Sequence, residues 1–167
     1  MLQWVDAQVP AGPDLRLVAS PSGIRTIAFQ PWPAPAESRH ATGPVAVLEE
    51  ALRQLEAYFR GELRDFDLPL DMQGTDFQKR VWRQLQAIPY GQTRSYSQIA
   101  QAIGSPHAVR AVGAANGANP IAIVVPCHRV IGASGKLVGY GGGLPLKKRL
   151  LELEGVVSAS LDGIGSQ

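Results

Sequence analysis

The hydrophobic pattern of this chain changes period once, and that change divides it. Leu15-Arg16-Leu17-Val18-Ala19-Ser20 and Gly23-Ile24-Arg25-Thr26-Ile27-Ala28-Phe29 alternate or carry β-branched residues, with Pro21-Ser22-Gly23 between them. This predicts a β-hairpin. Four prolines from Pro31 to Pro44 then read as a loop. After it, Val45, Leu48, Leu52, Leu55 and Phe59 recur at helical spacing up to Gly61. The acidic stretch Asp65 to Asp71, ending at Gly74, joins an N-terminal αβ region (1–73) to a helical C-terminal region (74–155). The expected class is therefore α/β of the α+β kind.

Helix signals dominate the second region. Thr75 or Asp76 can cap a helix whose Phe77, Val81, Trp82 and Leu85 share a face, and Pro89-Tyr90-Gly91 ends it. Ser95-Tyr96-Ser97-Gln98 is a capping box opening a helix through Ile103. Gly104-Ser105-Pro106 turns the chain into a second short helix, from Pro106 or His107 to about Asn116. Two short helices joined this way predict a helix-turn-helix. Ala108, Ala111, Gly113, Ala114, Ala115 and Gly117 leave the second helix thin, with Arg110 as its only charge. It is either a close-packed core helix or one shaped for a narrow space. Ile121 to Val125 reads as a short buried strand, and Gly139-Tyr140-Gly141-Gly142-Gly143 as a loop. Pro145 starts a last helix containing Leu146, Leu150, Leu151 and Leu153, stopped by Gly155. Residues 156–167 are small and polar, as in a flexible tail.

No apolar run approaches the roughly 20 residues of a membrane span. The start, Met1-Leu2-Gln3-Trp4-Val5-Asp6, lacks the basic and apolar regions of a signal peptide, so a cytoplasmic location is expected. Charge is uneven. Residues 1–73 hold six Lys/Arg against ten Asp/Glu (−4), and residues 74–167 hold ten against four (+6). Either the C-terminal half meets a polyanion or its surface is simply basic.

Cys127 is the only cysteine, within Val124-Val125-Pro126-Cys127-His128-Arg129-Val130-Ile131-Gly132. A lone thiol forms no internal disulfide. It is an inert small residue or a nucleophile. A strand ending at a polar turn, with an imidazole and a guanidinium beside the sulfur, favours the nucleophile, because nearby positive charge favours thiolate. A cysteine hydrolase or a non-catalytic helix-turn-helix regulator would fit parts of this pattern. His40, His107, His128 and Cys127 lack metal-ligand spacing, so no metal and no cofactor are expected.

With Pro126-Cys127-His128-Arg129-Val130 in hand, the chain resembles the O6-alkylguanine-DNA alkyltransferases, or methylated-DNA–protein-cysteine methyltransferases. The resemblance is strong from about Asp65 to Gly155. It includes Gly74-Thr75-Asp76-Phe77-Gln78, Ile88-Pro89-Tyr90-Gly91, Arg94-Ser95-Tyr96, Ala108-Val109-Arg110-Ala111-Val112-Gly113, Asn119-Pro120 and Tyr140-Gly141-Gly142-Gly143-Leu144. The N-terminal part matches loosely, as a small sheet domain without catalytic residues.

The resemblance implies a single-turnover repair reaction on duplex DNA. A damaged guanine is flipped out through the minor groove, and Cys127 takes its O6-alkyl group, with O4-alkylthymine a poorer substrate. It implies that His128, through a water, activates Cys127, that Glu154 orients His128, and that Asn119 organises the cysteine network. Tyr96 would donate to guanine N3, the Val130 carbonyl would accept from the exocyclic amine, and Tyr140 and Gly141 would wall the alkyl pocket. Some relatives carry serine at Gly141 and proline at Ala122. Arg110 would fill the gap in the stack, with Ala111, Gly113 and Arg94 also against DNA. Lys79, Arg80, Lys136 and Lys147 are further candidate phosphate contacts. A monomer in free solution is expected, with cooperative binding on DNA left open.

Overall fold

The computed structural model describes residues 1–156, so all but the first residue of the expected tail 156–167 lies outside the described residues. Met1–Gln73 with Pro120–Ala122 form one unit, and Gly74–Asn119 with Ile123 onward form another.

In the first unit, strands β1 (Leu2–Gln8), β2 (Asp14–Ser20), β3 (Gly23–Phe29) and β4 (Ser38–His40) make one sheet in the order β3-β2-β1-β4. β2 pairs antiparallel with β1 and β3, and β4 runs parallel to β1. The predicted hairpin is β2–β3. β1 and β4 are additions to the expectation. Most of β1 is half-buried on both faces, which blurs the alternation that marks a strand. Helix α1 (Ala46–Phe59) packs on β1, β2 and β3. Leu15, Leu17, Ile24, Ile27, Leu48, Leu55 and Tyr58 are buried between them. Each such side chain contributes about 1.5–3 kcal/mol on burial.

The acidic stretch after α1 is fastened rather than loose. The Gln54 amide donates to the Asp67 carbonyl and accepts from its N–H, both at 2.9 Å. Ile24 bridges Leu70. Gly23, at φ 147°, permits that approach: a Cβ there would lie 2.4 Å from the Pro69 carbonyl oxygen.

In the second unit, Thr75 caps helix α2 (Asp76–Gln86) through a full capping box with Gln78. Ser95 does the same with Gln98 for α3 (Tyr96–Ala102). A short parallel pair, β5 (Arg94–Ser95) with β6 (Val130–Ile131), holds the start of α3 beside Val130. Helix α4 (Val109–Gly117) begins after a turn at Ser105–Ala108, later than Pro106 suggested. α2, α3 and α4 pack on one another. The Trp82 indole N–H donates to the Ala115 carbonyl at 2.9 Å, anchoring α4 to α2. Helix α5 (Leu144–Leu153) carries proline in its first turn and turns Leu150 and Leu151 inward.

One expected element is absent. Ile121 to Val125 does not form a strand: Ile121 makes a single bridge to Ile27 within the first unit, and Ile123 adopts φ 71°. A β-branched residue in the left-handed region cannot continue an extended strand.

Candidate active site

Cys127, His128 and Arg129 form one turn of 3₁₀ helix after Pro126, and all three are buried. Pro126, at φ −83° and ψ 66°, is an inverse γ-turn closed by the Cys127 N–H donating to the Val125 carbonyl at 2.8 Å. In a 3₁₀ turn successive side chains fan out about 120° apart. The side chains of the two residues following Cys127 therefore leave this turn in directions different from that of the sulfur.

His128 and Arg129 converge instead on Glu154, which caps the end of α5. His128 Nε2 lies 2.7 Å from Glu154 Oε2. Arg129 donates through Nε to Oε1 at 2.7 Å and through Nη2 to Oε2 at 3.0 Å, with Nη1 on the Ile88 carbonyl at 2.7 Å. Burial alone would raise the Glu154 pKa, but the hydrogen bonds and charges of His128 and Arg129 hold it at about 2. Glu154 is therefore a carboxylate. Burial lowers the His128 pKa against the pull of Glu154, so His128 is neutral near pH 7. A neutral imidazole facing a carboxylate carries its proton on Nε2. Nδ1 is left as a lone-pair acceptor, buried and without a protein partner among the described residues.

The positive charge that bears on the thiol is neither neighbour in sequence. Burial raises the Cys127 pKa, while a hydrogen bond from Asn119 and the charge of Lys147 lower it. Asn119 Nδ2 also donates to the Val125 carbonyl at 2.8 Å, fixing the loop that presents Cys127. Lys147, expected as a phosphate contact, is fully buried. Its ammonium donates to the carbonyls of Val138 and Gly139 at 3.2 and 3.3 Å. Burial lowers its pKa to about 8, opposed by the Cys127 charge. Its apolar neighbours on α5, Leu150 and Leu151, are also buried, so the inward face of this helix includes position 147.

The other expected pocket residues are near. Tyr96, half-buried at the start of α3, donates its hydroxyl to the Val138 carbonyl at 3.2 Å. Burial first, and then the Cys127 charge, raise its pKa. Val130 is fully buried on β6. The Tyr140 ring stands edge-on to His128 at 6.5 Å between centroids. Gly141 is exposed in the loop that follows.

Arg110 and Ala111 are exposed on α4, and Gly113 borders the Tyr96 ring, with its Cβ position 4.0 Å away. Arg94 is half-buried, bonded to the Gln92 side chain and the Thr93 carbonyl, and lines a cleft of about 260 Å³ with Gln84, Gln98 and Ala102. Arg80 is exposed, Lys79 half-buried and Lys136 exposed.

Three contributors carry no role that the sequence alone would assign. Arg129 neutralises Glu154, Lys147 faces the thiol, and Asn116 is buried beside it. Arg129 stands in the motif itself. The only sign of the other two is a polar residue at a helix position that periodicity turns inward. Among the described residues no three His, Cys, Asp or Glu side chains gather as metal ligands.

Fold and site define a cysteine protein whose single thiol is buried, followed in sequence by a neutral imidazole and under the influence of a buried ammonium, with Asn116 of a small-residue helix at its backbone carbonyl. The model of the 6-O-methylguanine DNA methyltransferase DNA-binding domain matches residues 76–156, and that of its ribonuclease-like domain matches residues 7–72. A methylated-DNA–protein-cysteine methyltransferase of Mycobacterium tuberculosis is 53% identical over 154 residues, covering 92% of this chain and 93% of its own. The crystal structure of the M. tuberculosis O6-methylguanine methyltransferase superposes with a TM-score of 0.82 at 50% identity, covering 92% and 93% of the two chains. The structure of the M. tuberculosis OGT in complex with DNA superposes at 0.80 and 48% identity, covering 96% and 94%. The chain belongs to the methylated-DNA–protein-cysteine methyltransferase family.

Proposed function

We propose that this chain reverses alkylation damage directly, moving the alkyl group of O6-alkylguanine in duplex DNA onto Cys127, once per molecule. O4-alkylthymine is the poorer substrate. The observation that carries this is the state of His128, next in sequence to the buried Cys127: neutral, with Nε2 locked to Glu154 and Nδ1 buried without a protein partner among the described residues. A water at Nδ1 would pass the Cys127 proton to the imidazole, following the logic of a nucleophile, a base and an orienting carboxylate. Lys147 and Asn119 stabilise the thiolate. The sulfur then attacks the alkyl carbon. The S–C bond forms as the C–O6 bond breaks, and the electron pair passes to the guanine oxygen and ring. Tyr96 stabilises that charge by donating to N3, while the Val130 carbonyl holds the exocyclic amine. Tyr140 and Gly141 wall the alkyl group. The thioether has no route back to thiol here, so the protein is consumed.

The second unit carries both chemistry and DNA binding, and the first is structural. α3 and α4 act as a helix-turn-helix. The exposed small residues of α4 suit a minor groove about 6 Å wide. The target base must leave the stack for a buried sulfur to reach it, and Arg110 takes its place, since a planar cation stacks well. Ala111, Gly113 and Arg94 lie against the backbone, and affinity falls with salt. The protein acts as a monomer in free solution.

Cys127→Ser and Cys127→Ala test the reaction. Both variants should bind an O6-methylguanine duplex as tightly as the parent and transfer nothing. Transfer surviving in either would move the chemistry to another residue.

A further inference from the structure

Glu154 Oε2 meets two side chains, His128 Nε2 at 2.7 Å and Arg129 Nη2 at 3.0 Å, while Oε1 takes Arg129 Nε at 2.7 Å. The guanidinium therefore grips the carboxylate as a fork and fixes its plane. Its third nitrogen, Nη1, donates to the Ile88 carbonyl at 2.7 Å. The turn after Ile88 closes on the same place. The Tyr90 hydroxyl donates to the Leu153 carbonyl at 3.1 Å, and Arg129 Cζ lies over the Tyr90 ring at 5.7 Å. A Cβ on Gly91 would stand 3.1 Å from the Glu154 carbonyl oxygen.

A buried ion pair adds little stability over apolar residues of the same volume, so stability alone does not account for this fork. Its consequence lies in the charges. Glu154 is negative and Arg129 positive, so the cluster is balanced when His128 carries one proton. A second proton on the ring would leave a positive charge uncompensated in a buried site. Without Arg129 the balance reverses. The carboxylate would face the imidazole alone, and the balanced cluster would be the one with a doubly protonated ring. The groups facing His128 are Glu154 and Lys147 from α5, Cys127 and Arg129 from its own turn, and the Tyr140 ring. Lys147 acts in the same direction as Arg129. The buried residues of α2, which also packs on this turn, are Val81, Trp82 and Leu85.

We propose that Arg129 is a positioning residue: its guanidinium supplies the counter-charge of Glu154, so that the His128 imidazole keeps a single proton, on Nε2, and presents a bare Nδ1 to the proton of Cys127. This rests on the alkyl-transfer reading above. When the thiol is deprotonated, its proton passes to Nδ1, the electron pair stays on sulfur, and the ring becomes an imidazolium. Glu154 steadies that imidazolium, and Arg129 prevents it from forming before the thiol supplies the proton. Burial does most to lower the His128 pKa, Glu154 raises it, and the Arg129 charge lowers it again.

Nuclear magnetic resonance of the His128 ring nitrogens reads the proton without DNA. In the parent at pH 7 one nitrogen should be protonated and the other bare. A doubly protonated ring would overturn the proposal with no variant needed. Arg129→Gln keeps an amide donor toward Glu154 and removes the charge, while Arg129→Lys keeps the charge and loses the fork. The ring should take up its second proton about 1–3 pH units higher in Arg129→Gln, and within about one unit of the parent in Arg129→Lys. Single-turnover transfer from an O6-methylguanine duplex at saturating protein is the second readout. At pH 7 Arg129→Gln should be slower by about tenfold for each unit by which its midpoint exceeds 7, and should recover as pH rises past that midpoint. DNA affinity should stay within about twofold. A loss of transfer that higher pH does not restore, with the ring titrating as in the parent, would reduce Arg129 to a fastening and overturn the proposal. Equal shifts in the Gln and Lys variants would overturn it too, because the charge would then not be the cause. If Arg129→Gln does not fold, Arg129→Lys still decides: a doubly protonated ring at pH 7 would contradict the proposal. A parent that transfers nothing while the ring titrations behave as stated would sink the alkyl-transfer reading and leave the charge balance standing.

Discussion

The Lys147 ammonium is fully buried, and its positive charge favours the thiolate form of Cys127 against the burial that raises that thiol's pKa. The cation is held in place by two loop carbonyls, so its charge is available to the sulfur. Lys147→Met keeps the stem and removes the charge. The Cys127 thiol should then titrate at higher pH. Transfer at neutral pH should slow by about tenfold for every pH unit that the thiol midpoint rises. The pH dependence of iodoacetamide labelling checks this. An unmoved thiol titration would reduce Lys147 to a fastening for Val138 and Gly139.

Glu154 serves the neutral His128 imidazole and the Arg129 guanidinium at once, and the pair it forms with Arg129 is almost entirely out of water. Glu154→Gln leaves a buried guanidinium without its counter-charge, a change that typically costs about 3–5 kcal/mol. Thermal melting should fall accordingly, and transfer should fall as well, because a neutral amide no longer fixes the His128 tautomer. Unchanged melting would mean that Arg129 finds another partner.

Acid should destabilise the protein in two stages. The folded His128 pKa lies below its ordinary 6.5, so the unfolded chain takes up that proton first, and stability falls as pH drops through about 6.5. The folded Glu154 pKa of about 2 lies below its ordinary 4.5. Its contribution is complete above pH 4.5 and is lost as pH falls from there toward 2. Urea midpoints across this range check the order. His128→Gln should remove the first stage and shrink the second, because His128 also helps to hold the Glu154 pKa down.

Gly74 lies against the Trp82 ring, where an added Cβ would sit 2.5 Å from the indole. Gly74→Ala must push the indole, whose N–H holds Ala115 of α4. A loss of about 1–3 kcal/mol is expected, as for other overpacked sites. Denaturant unfolding checks it, and an unchanged midpoint would show that α2 can shift freely at its start.

Arg110→Ala separates flipping from chemistry. Arg110 is exposed on α4 and belongs to none of the hydrogen bonds around Cys127. Its loss should slow repair of duplex DNA and leave attack on a free O6-benzylguanine base nearly unchanged. An equal loss on both substrates would count against the role given to Arg110.

The helices were legible in the sequence because their signals are local. Of the two candidate caps, Thr75 caps α2; Ser95 caps α3 as its capping box implied, and Pro145 opens α5. The β2–β3 hairpin followed from alternation. What failed depended on contacts distant in sequence. Ile121 to Val125 looked like a strand by composition, but Ile123 turns left-handed and the segment's β-bridge is confined to Ile121. Lys147 looked like a surface cation, yet its helix face is internal. The resemblance pointed to Cys127, His128 and Glu154, but nothing local said that Arg129 would share Glu154 with His128. The cation near a thiol cannot be read from adjacency when the backbone turn aims the adjacent side chains elsewhere.

Intact-protein mass after incubation with a duplex holding one O6-methylguanine tests direct alkyl transfer to Cys127 most directly. The expected result is a gain of one methylene mass per molecule, mapped to Cys127, with no second event and with guanine restored in the DNA. Repeated turnover without a mass gain, or a gain on any other residue, would contradict it.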